Sequence, residues 1–342
     1  MELEQVQQGY AQYIKYLGFQ HVHNETYIMK IKNDYGPIVL FQFGKFYFTT
    51  FGFLLGVGTL LGFIQFLFFL GYRGITLESK LISQLIVYIG ISIPIGSYLM
   101  ARITDIPKLI TGKLLLKNYF RIPGFSFWGG LILGGIIIII FSFFHQLPLL
   151  CLTDSLVIGL SFGQIFGRLG CLNYGCCHGI ECENNSWFIT YNHPNSKVFR
   201  TDQRLIGKPL YPTQIISALS NLIIWTILIS MTIGFNNIST GILTITYLLL
   251  FSLKRFLIEF YRGELPRTNF FTFTLWQWLS VFLFSIGIYI TIHLSGFELP
   301  TKLLHSFDMG KTYVYDSISM VLITVFILTS IYSFHYRKVG SW

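Results

Sequence analysis

The stretch GRLGCLNYGCCHGIEC, residues 167–182, places Arg168 beside Cys171, Cys176, Cys177, His178 and Cys182. A guanidinium presents a planar fork of donors that suits a phosphate or carboxylate. An imidazole, with an ordinary pKa near 6.5, suits a general base. A second cluster follows in KRFLIEFYRGE, residues 254–264, where Arg255 and Glu259 stand four apart and Arg262 three further on. On a helix all three share one face. Arginines at the end of an apolar run also snorkel to the membrane surface, but snorkelling does not call for a carboxylate one turn away. The spacing therefore predicts an anion clamp built from Arg168, Arg255 and Arg262, with Glu259 orienting a guanidinium.

The thiols admit three readings. Four cysteines and an imidazole within twelve positions have the chemistry of a tetrahedral metal site, yet no Cys-x-x-Cys pair is present and two of the cysteines are adjacent. A disulfide tying a cap to a helix end is the second reading, where the compartment is oxidising. Small side chains packed beneath the cap are the third. No metal or other cofactor is assigned from the spacing.

These residues must be positioned by elements that live in lipid. Over 342 residues the chain is 53% hydrophobic and 11% charged, with a mean hydropathy of +0.59. That is too apolar for a water-soluble globule of this length. The net charge of +9 comes without a basic low-complexity run or a nucleic-acid motif, so anionic lipid headgroups are the expected partners and nucleic acid is not. Apolar runs of spanning length lie at about 47–71, 83–101, 126–147, 149–167, 211–233, 239–258, 273–294 and 315–335. The expected fold is an all-α integral membrane protein of about seven to eight transmembrane helices with a small polar cap. The first run is read as a retained helix rather than a cleaved signal. Asp154 and Gln164 fall inside the fourth and mark it as an interior helix. Glycines recur in spans one, three and four at spacings that let helix backbones touch. Residues 102–124 form a basic connector, and residues 171–210 a polar insert that caps the site. The domains expected are an amino-terminal segment 1–46, a membrane domain 47–294 that includes the cap, and a carboxyl-terminal helix and tail 295–342.

In this order the motifs resemble those of the prolipoprotein diacylglyceryl transferase family. GRLGCLNYGCCHG is similar to the family signature Gly-Arg-x-Gly-Asn-Phe, followed by an acidic residue and a closing Gly. Upstream, DSLVIGLSFGQIFGRLG carries an Asp at the family's distance from Gly-Arg, FSFWGGLILGG resembles Ser-Phe-His-Gly-Gly-Leu, and YGPIVLFQFGKFYFTTFGFLLGVG resembles the family's approach to span one. Downstream, YPTQ resembles His-Pro-Ser-Gln, RFLIEFYR resembles Arg-Phe-x-x-Glu-Phe-x-Arg, and LWQWLSVFLFSIGI resembles the last family helix, Gln277 included. The resemblance covers about residues 35–294. The departures are Cys171 for the signature Asn, Cys176 for its acidic residue, Trp128 for the span-three His and Phe51 for the span-one Tyr.

The resemblance implies transfer of a diacylglyceryl group from phosphatidylglycerol to the thiol of a prolipoprotein lipobox cysteine, with release of glycerol phosphate, in the bacterial inner (cytoplasmic) membrane. This is alkyl transfer, and it needs a cationic clamp for the leaving phosphate, a proton acceptor for the thiol, and a dry site open to lipid. Fixed donors at such a leaving group are worth about 3–4 kcal/mol each. Arg168 and Arg255 are expected to be catalytic, with His178 the nearest base. Arg262, Glu259, Gln214, Gly170, Gly179 and Asp154 are expected to bind substrate. The replaced signature residues leave open a non-catalytic protein of the same fold that binds or moves an anionic lipid, or a transferase with another acceptor. The cysteines alone suggest a thiol-redox or metal protein. Charge and resemblance disagree on orientation: 20 of the 24 lysines and arginines fall on the side that carries the motifs, which the positive-inside rule sets in the cytoplasm, whereas the family's acceptors are met outside.

Overall fold

The structure, a computed structural model, describes residues 35–75, 77–112, 119, 124–182, 188–234, 239–263, 269–294 and 307–340. Most of the expected segment 1–46 and parts of the basic connector and of the cap lie outside the described residues.

A hairpin of β1 (Val39–Phe43) and β2 (Phe46–Thr49) leads directly into the helix α1 (Thr50–Tyr72). Then follow α2 (Ser79–Ile110), α3 (Phe127–Phe144) and α4 (Leu149–Tyr174). The cap holds a short helix, α5 (Lys197–Thr201), and gives way to α6 (Thr213–Gly234) and α7 (Ile242–Phe260). A second small hairpin, β3 (Asn269–Phe270) with β4 (Phe273–Thr274), opens α8 (Leu275–Leu294). The last long helix, α9 (Phe307–Ser333), ends in β5 (Phe334–Tyr336), which pairs with β2 to give an antiparallel sheet of order β1-β2-β5.

All eight expected runs are helices, and seven are long and apolar enough to cross a membrane. The exception is α7, which is set apart by Lys254, Arg255 and Glu259 near its end. It lies beside α4, which also touches α1, α3 and α6. The protein is thus an all-α integral membrane protein, with the small sheet as an addition the apolar pattern did not reveal.

Glycine lets α1 and α4 touch backbone to backbone. A β-carbon at Gly58 of α1 would come within 2.6 Å of the Gly163 carbonyl of α4, and one at Gly62 within 2.9 Å of the Gly159 carbonyl. Lipid tails offer no hydrophobic drive between helices, so backbone proximity of this kind supplies the packing attraction instead. Aromatic and branched side chains fill the space beside it, with Phe63, Phe66, Leu67 and Leu70 of α1 meeting Leu152 of α4 and Ile82, Leu85 and Ile86 of α2.

Three corrections concern boundaries. The second run was expected to stop at 101, but α2 continues to Ile110, so the first part of the basic connector is helical. The fourth run was expected to stop at 167, but α4 continues to Tyr174, so Arg168, Gly170 and Cys171 ride on its last turns. Gly175, at φ +78°, then ends the helix in the left-handed conformation that glycine adopts without steric cost. The carboxyl-terminal helix, expected from residue 315, begins at Phe307 and packs along α1, where Gly71 meets the Met309 carbonyl.

Candidate functional site

α4 and α7 finish on the same side, and their ends are stitched by backbone. Gly179 and Arg262 form an antiparallel bridge, the Ile180 amide donates to the Tyr261 carbonyl at 2.9 Å, and the Gly263 amide donates to the His178 carbonyl at 2.9 Å. On its other edge the same loop meets the start of α6, where the Gly179 amide donates to the Tyr211 carbonyl at 3.1 Å. A loop otherwise free to sway is held from two helices.

Four cations gather beneath it. Arg255, nearly fully buried, holds the Glu259 carboxylate with Nη1 2.8 Å from Oε2, and Arg262 reaches the same oxygen at 3.4 Å. Arg168 and Lys254 lie close enough to Arg255 to act on its charge. The sequence cluster thus closes as expected: Arg168, Arg255, Glu259 and Arg262 come together. Lys254 joins them although its place on the helix, one residue from Arg255, did not single it out. Its Nζ donates to Asn221 Oδ1 of α6 and sits 4.5 Å from the Phe251 ring centroid. One carboxylate against four cations leaves net positive charge in a poorly hydrated place. Among the described residues no hydrogen bond or ion pair is made by the Arg168 guanidinium, whose planar fork has the geometry to take an anion.

Around the cations several polar atoms are buried without a hydrogen-bond partner among the described residues: Trp128 Nε1, Asn221 Nδ2, Ser252 Oγ and Gln277 Nε2. Trp128 stacks on Trp276, 6.0 Å between centroids, and touches Phe251. Buried donors without partners cost about 1–3 kcal/mol each. Trp128 and Gln277 stand where the resemblance puts the family's His and Gln.

The remaining expected residues are placed differently. Gln214 is fully buried, and its amide donates to the Cys176 carbonyl at 2.8 Å and to Tyr191 Oη at 3.2 Å, so it holds the cysteine loop instead of facing the cations. Gly170 packs on Phe51, and Gly179 on Tyr211. His178 is buried, with Nδ1 2.9 Å from the Gly179 carbonyl oxygen. Asp154 departs furthest from expectation. It lies in the second turn of α4, about 21 Å of helix away from Arg168 at 1.5 Å per residue. Its carboxylate pairs with Arg73 at 2.8 Å and accepts from the amides of Gly241 and Thr244 at 2.7 and 2.8 Å. A negative group there caps the positive end of α7. The interior position was legible from the sequence; the partners were not.

Cys171, Cys176 and Cys177 converge, with sulfur atoms within 4.8 Å of one another. All five cysteines are unbonded thiols. Hydrogen bonds from Cys171 and Cys176, with Arg262 and Arg168 nearby, hold the Cys177 thiol well below the ordinary thiol range. Its partner Cys176 is pushed well above that range by the hydrogen bonds it makes to Cys171 and Cys177 and by burial.

A multi-helix membrane protein whose helix ends converge on one anion-sized cationic cluster, beneath a thiol-bearing loop, defines a class that handles anionic lipid headgroups. Within that class the match is specific. The model of the prolipoprotein diacylglyceryl transferase family covers residues 38–293. The chain is 31% identical over 240 residues to phosphatidylglycerol-prolipoprotein diacylglyceryl transferase 2 of Clostridium perfringens, covering 70% of this chain and 88% of that protein. It is 30% identical over 232 residues to the Synechocystis phosphatidylglycerol-prolipoprotein diacylglyceryl transferase, covering 66% and 77%, and 26% identical over 196 residues to that of Clostridium tetani, covering 57% and 74%. The chain belongs to the prolipoprotein diacylglyceryl transferase family.

Proposed function

We propose that this protein transfers the diacylglyceryl group of phosphatidylglycerol to the thiol of a prolipoprotein cysteine and releases glycerol phosphate. The observation that carries the reading is the cationic cluster of Arg168, Lys254, Arg255 and Arg262 around the single carboxylate of Glu259. The acceptor sulfur attacks the glyceryl carbon that bears the phosphate, a C–S bond forms as the C–O bond breaks, and the thiol proton ends on the released glycerol phosphate. Negative charge grows on the departing oxygen. Arg168 and Arg255 stabilise it there, where water is scarce and fixed donors are worth more than in bulk solvent. Glu259 keeps Arg255 extended toward the site, and Arg262 closes the far side. His178 stands on the loop above as the histidine through which the thiol proton can leave. The bacterial inner membrane, with the cap on its outer face, is the location that this chemistry requires.

Purified protein given phosphatidylglycerol and a peptide with a lipobox cysteine tests the reading by mass spectrometry. Thioether-linked diacylglyceryl on the peptide, with glycerol phosphate released in equal amount, is expected. Binding of phosphatidylglycerol without transfer would favour the lipid-holding alternative, which the lost signature Asn and acidic residue support.

A further inference from the structure

The end of α4 and the loop after it depart from the family signature at one place each, and both departures are cysteines whose side chains the fold brings together with a third. Cys171 lies on the last turn of α4. Gly175, left-handed, returns the chain so that the amides of Gly175 and Cys176 both donate to the Cys171 carbonyl, at 3.0 and 3.2 Å. Cys177 then adopts φ +56°, a conformation that side chains rarely take. It costs roughly 1–2 kcal/mol for an ordinary L-residue. The consequence is that two adjacent cysteines direct their sulfurs to the same point as Cys171, which removes the usual objection to neighbouring ligands.

The supports of this loop do not use the sulfurs. Thr213 Oγ1 donates to the Cys177 carbonyl at 2.7 Å, and Gln214 Nε2 to the Cys176 carbonyl at 2.8 Å. These bonds to the loop backbone fix it and hold the three sulfurs within 4.8 Å of one another, in an apolar cluster with Ile38, Tyr174 and Val339. Zinc binds thiolate at about 2.3 Å, so tetrahedral geometry asks for sulfurs about 3.8 Å apart, a small adjustment from what the loop offers. Three thiolates with a divalent ion carry one net negative charge, and Arg168 and Arg262 lie near enough to Cys177 to balance it. Cys176 is buried, while Cys171 and Cys177 are partly exposed.

We propose that Cys171, Cys176 and Cys177 form a trithiolate site for a thiophilic divalent ion, zinc in class, whose open fourth position takes the sulfur of the acceptor cysteine. The second half rests on the transferase reading above. A coordinated thiol loses its proton outright, so the site would supply the acceptor thiolate where the signature Asn and acidic residue are missing. The balance is unchanged: one C–S bond forms, one C–O bond breaks, and the proton displaced on coordination is recovered by the glycerol phosphate.

Metal-stripped, reduced protein in lipid nanodiscs is titrated with Co²⁺ and Zn²⁺, and then with a peptide bearing a lipobox cysteine. One Co²⁺ per chain with thiolate-to-cobalt charge-transfer absorption, displaced by Zn²⁺ and altered by the peptide but not by its Ser analogue, is expected. Cys171→Ser, Cys176→Ser and Cys177→Ser should each weaken binding at least tenfold. Because a serine could unseat the loop, the unaltered chain gives a second measurement: Zn²⁺ should protect these three thiols from maleimide, read peptide by peptide, and a chelator should expose them again. Absence of stoichiometric binding, labelling indifferent to Zn²⁺, or a disulfide between two of the three in protein that binds no metal would each overturn the site. A cobalt spectrum blind to the peptide would overturn the acceptor half. The transferase reading is scored apart: Arg255→Ala should abolish transfer and keep the cobalt spectrum, and full transfer by metal-stripped protein would refute the site's role while leaving the activity intact.

Discussion

The Gly263 amide donates to the His178 carbonyl at 2.9 Å, and through this bond the end of α7 carries the loop that follows α4. A β-carbon on Gly263 would meet the Gly179 carbonyl carbon at 2.7 Å. Gly263→Ala therefore has to push the two strands of chain apart. Overpacking of this kind costs about 1–3 kcal/mol, and transfer should fall at least tenfold in protein that still inserts into membranes. Normal transfer by the alanine variant would show that the loop's position is unimportant.

Arg168 and Glu259 should separate function from stability. Arg168 is half-buried and stands among like charges, Lys254 and Arg255, so Arg168→Ala should leave thermal stability in detergent nearly unchanged and abolish transfer. Arg168→Lys should restore only part of it, since an ammonium lacks the bidentate fork. Glu259→Gln instead leaves the buried Arg255 without its counter-charge, at a cost of about 3–5 kcal/mol. Both stability and transfer should drop. Equal stability losses in the two variants would contradict the arrangement.

Asp154 is expected to act on the fold alone. Asp154→Ala strips the partner from buried Arg73 and the cap from α7 together, which puts the loss at about 3–5 kcal/mol. The fraction that folds should still bind phosphatidylglycerol with ordinary affinity, measured with labelled lipid in nanodiscs. A selective loss of lipid affinity with stability unchanged would return Asp154 to the substrate site.

Acid should loosen the small sheet. His335, fully buried on β5, accepts from the Gly340 amide at Nδ1, 2.7 Å away. Burial lowers its pKa from 6.5 to about 4, with Arg200 adding to the effect. The folded state prefers the neutral ring, so its contribution is complete above pH 6.5 and is lost as pH falls toward 4. Melting temperature should decline across that window in wild-type protein and decline less in His335→Gln. A pH dependence identical in the two would discount this histidine.

Orientation has a direct probe. Ser196 is fully buried and caps α5 through the Phe199 amide, whereas the Arg204 side chain is 79% exposed on the cap. In cells with a permeabilised outer barrier, Arg204→Cys should react with an impermeant maleimide if the cap faces outward. Labelling only after the inner membrane is broken would place it in the cytoplasm, in line with the charge asymmetry, and would exclude exported acceptors.

The sequence by itself determined the spans, because lipid requires every long backbone segment to satisfy its own hydrogen bonds and the apolar runs report this locally. It also determined the shared face of Arg255, Glu259 and Arg262, since helical spacing alone aligns them, and the glycines of α1 and α4 that let the two backbones touch. Tertiary structure decided what those local patterns could not express. It brought Lys254 to the cluster, sent Asp154 to Arg73 and the start of α7, and turned Gln214 toward the Cys176 carbonyl. It also gathered three sulfurs through a left-handed Gly175 and a positive φ at Cys177. Each of these depends on loop conformation or on partners dozens of residues away, and no periodicity along the chain encodes which of several chemically suitable partners the packed helices will place within reach.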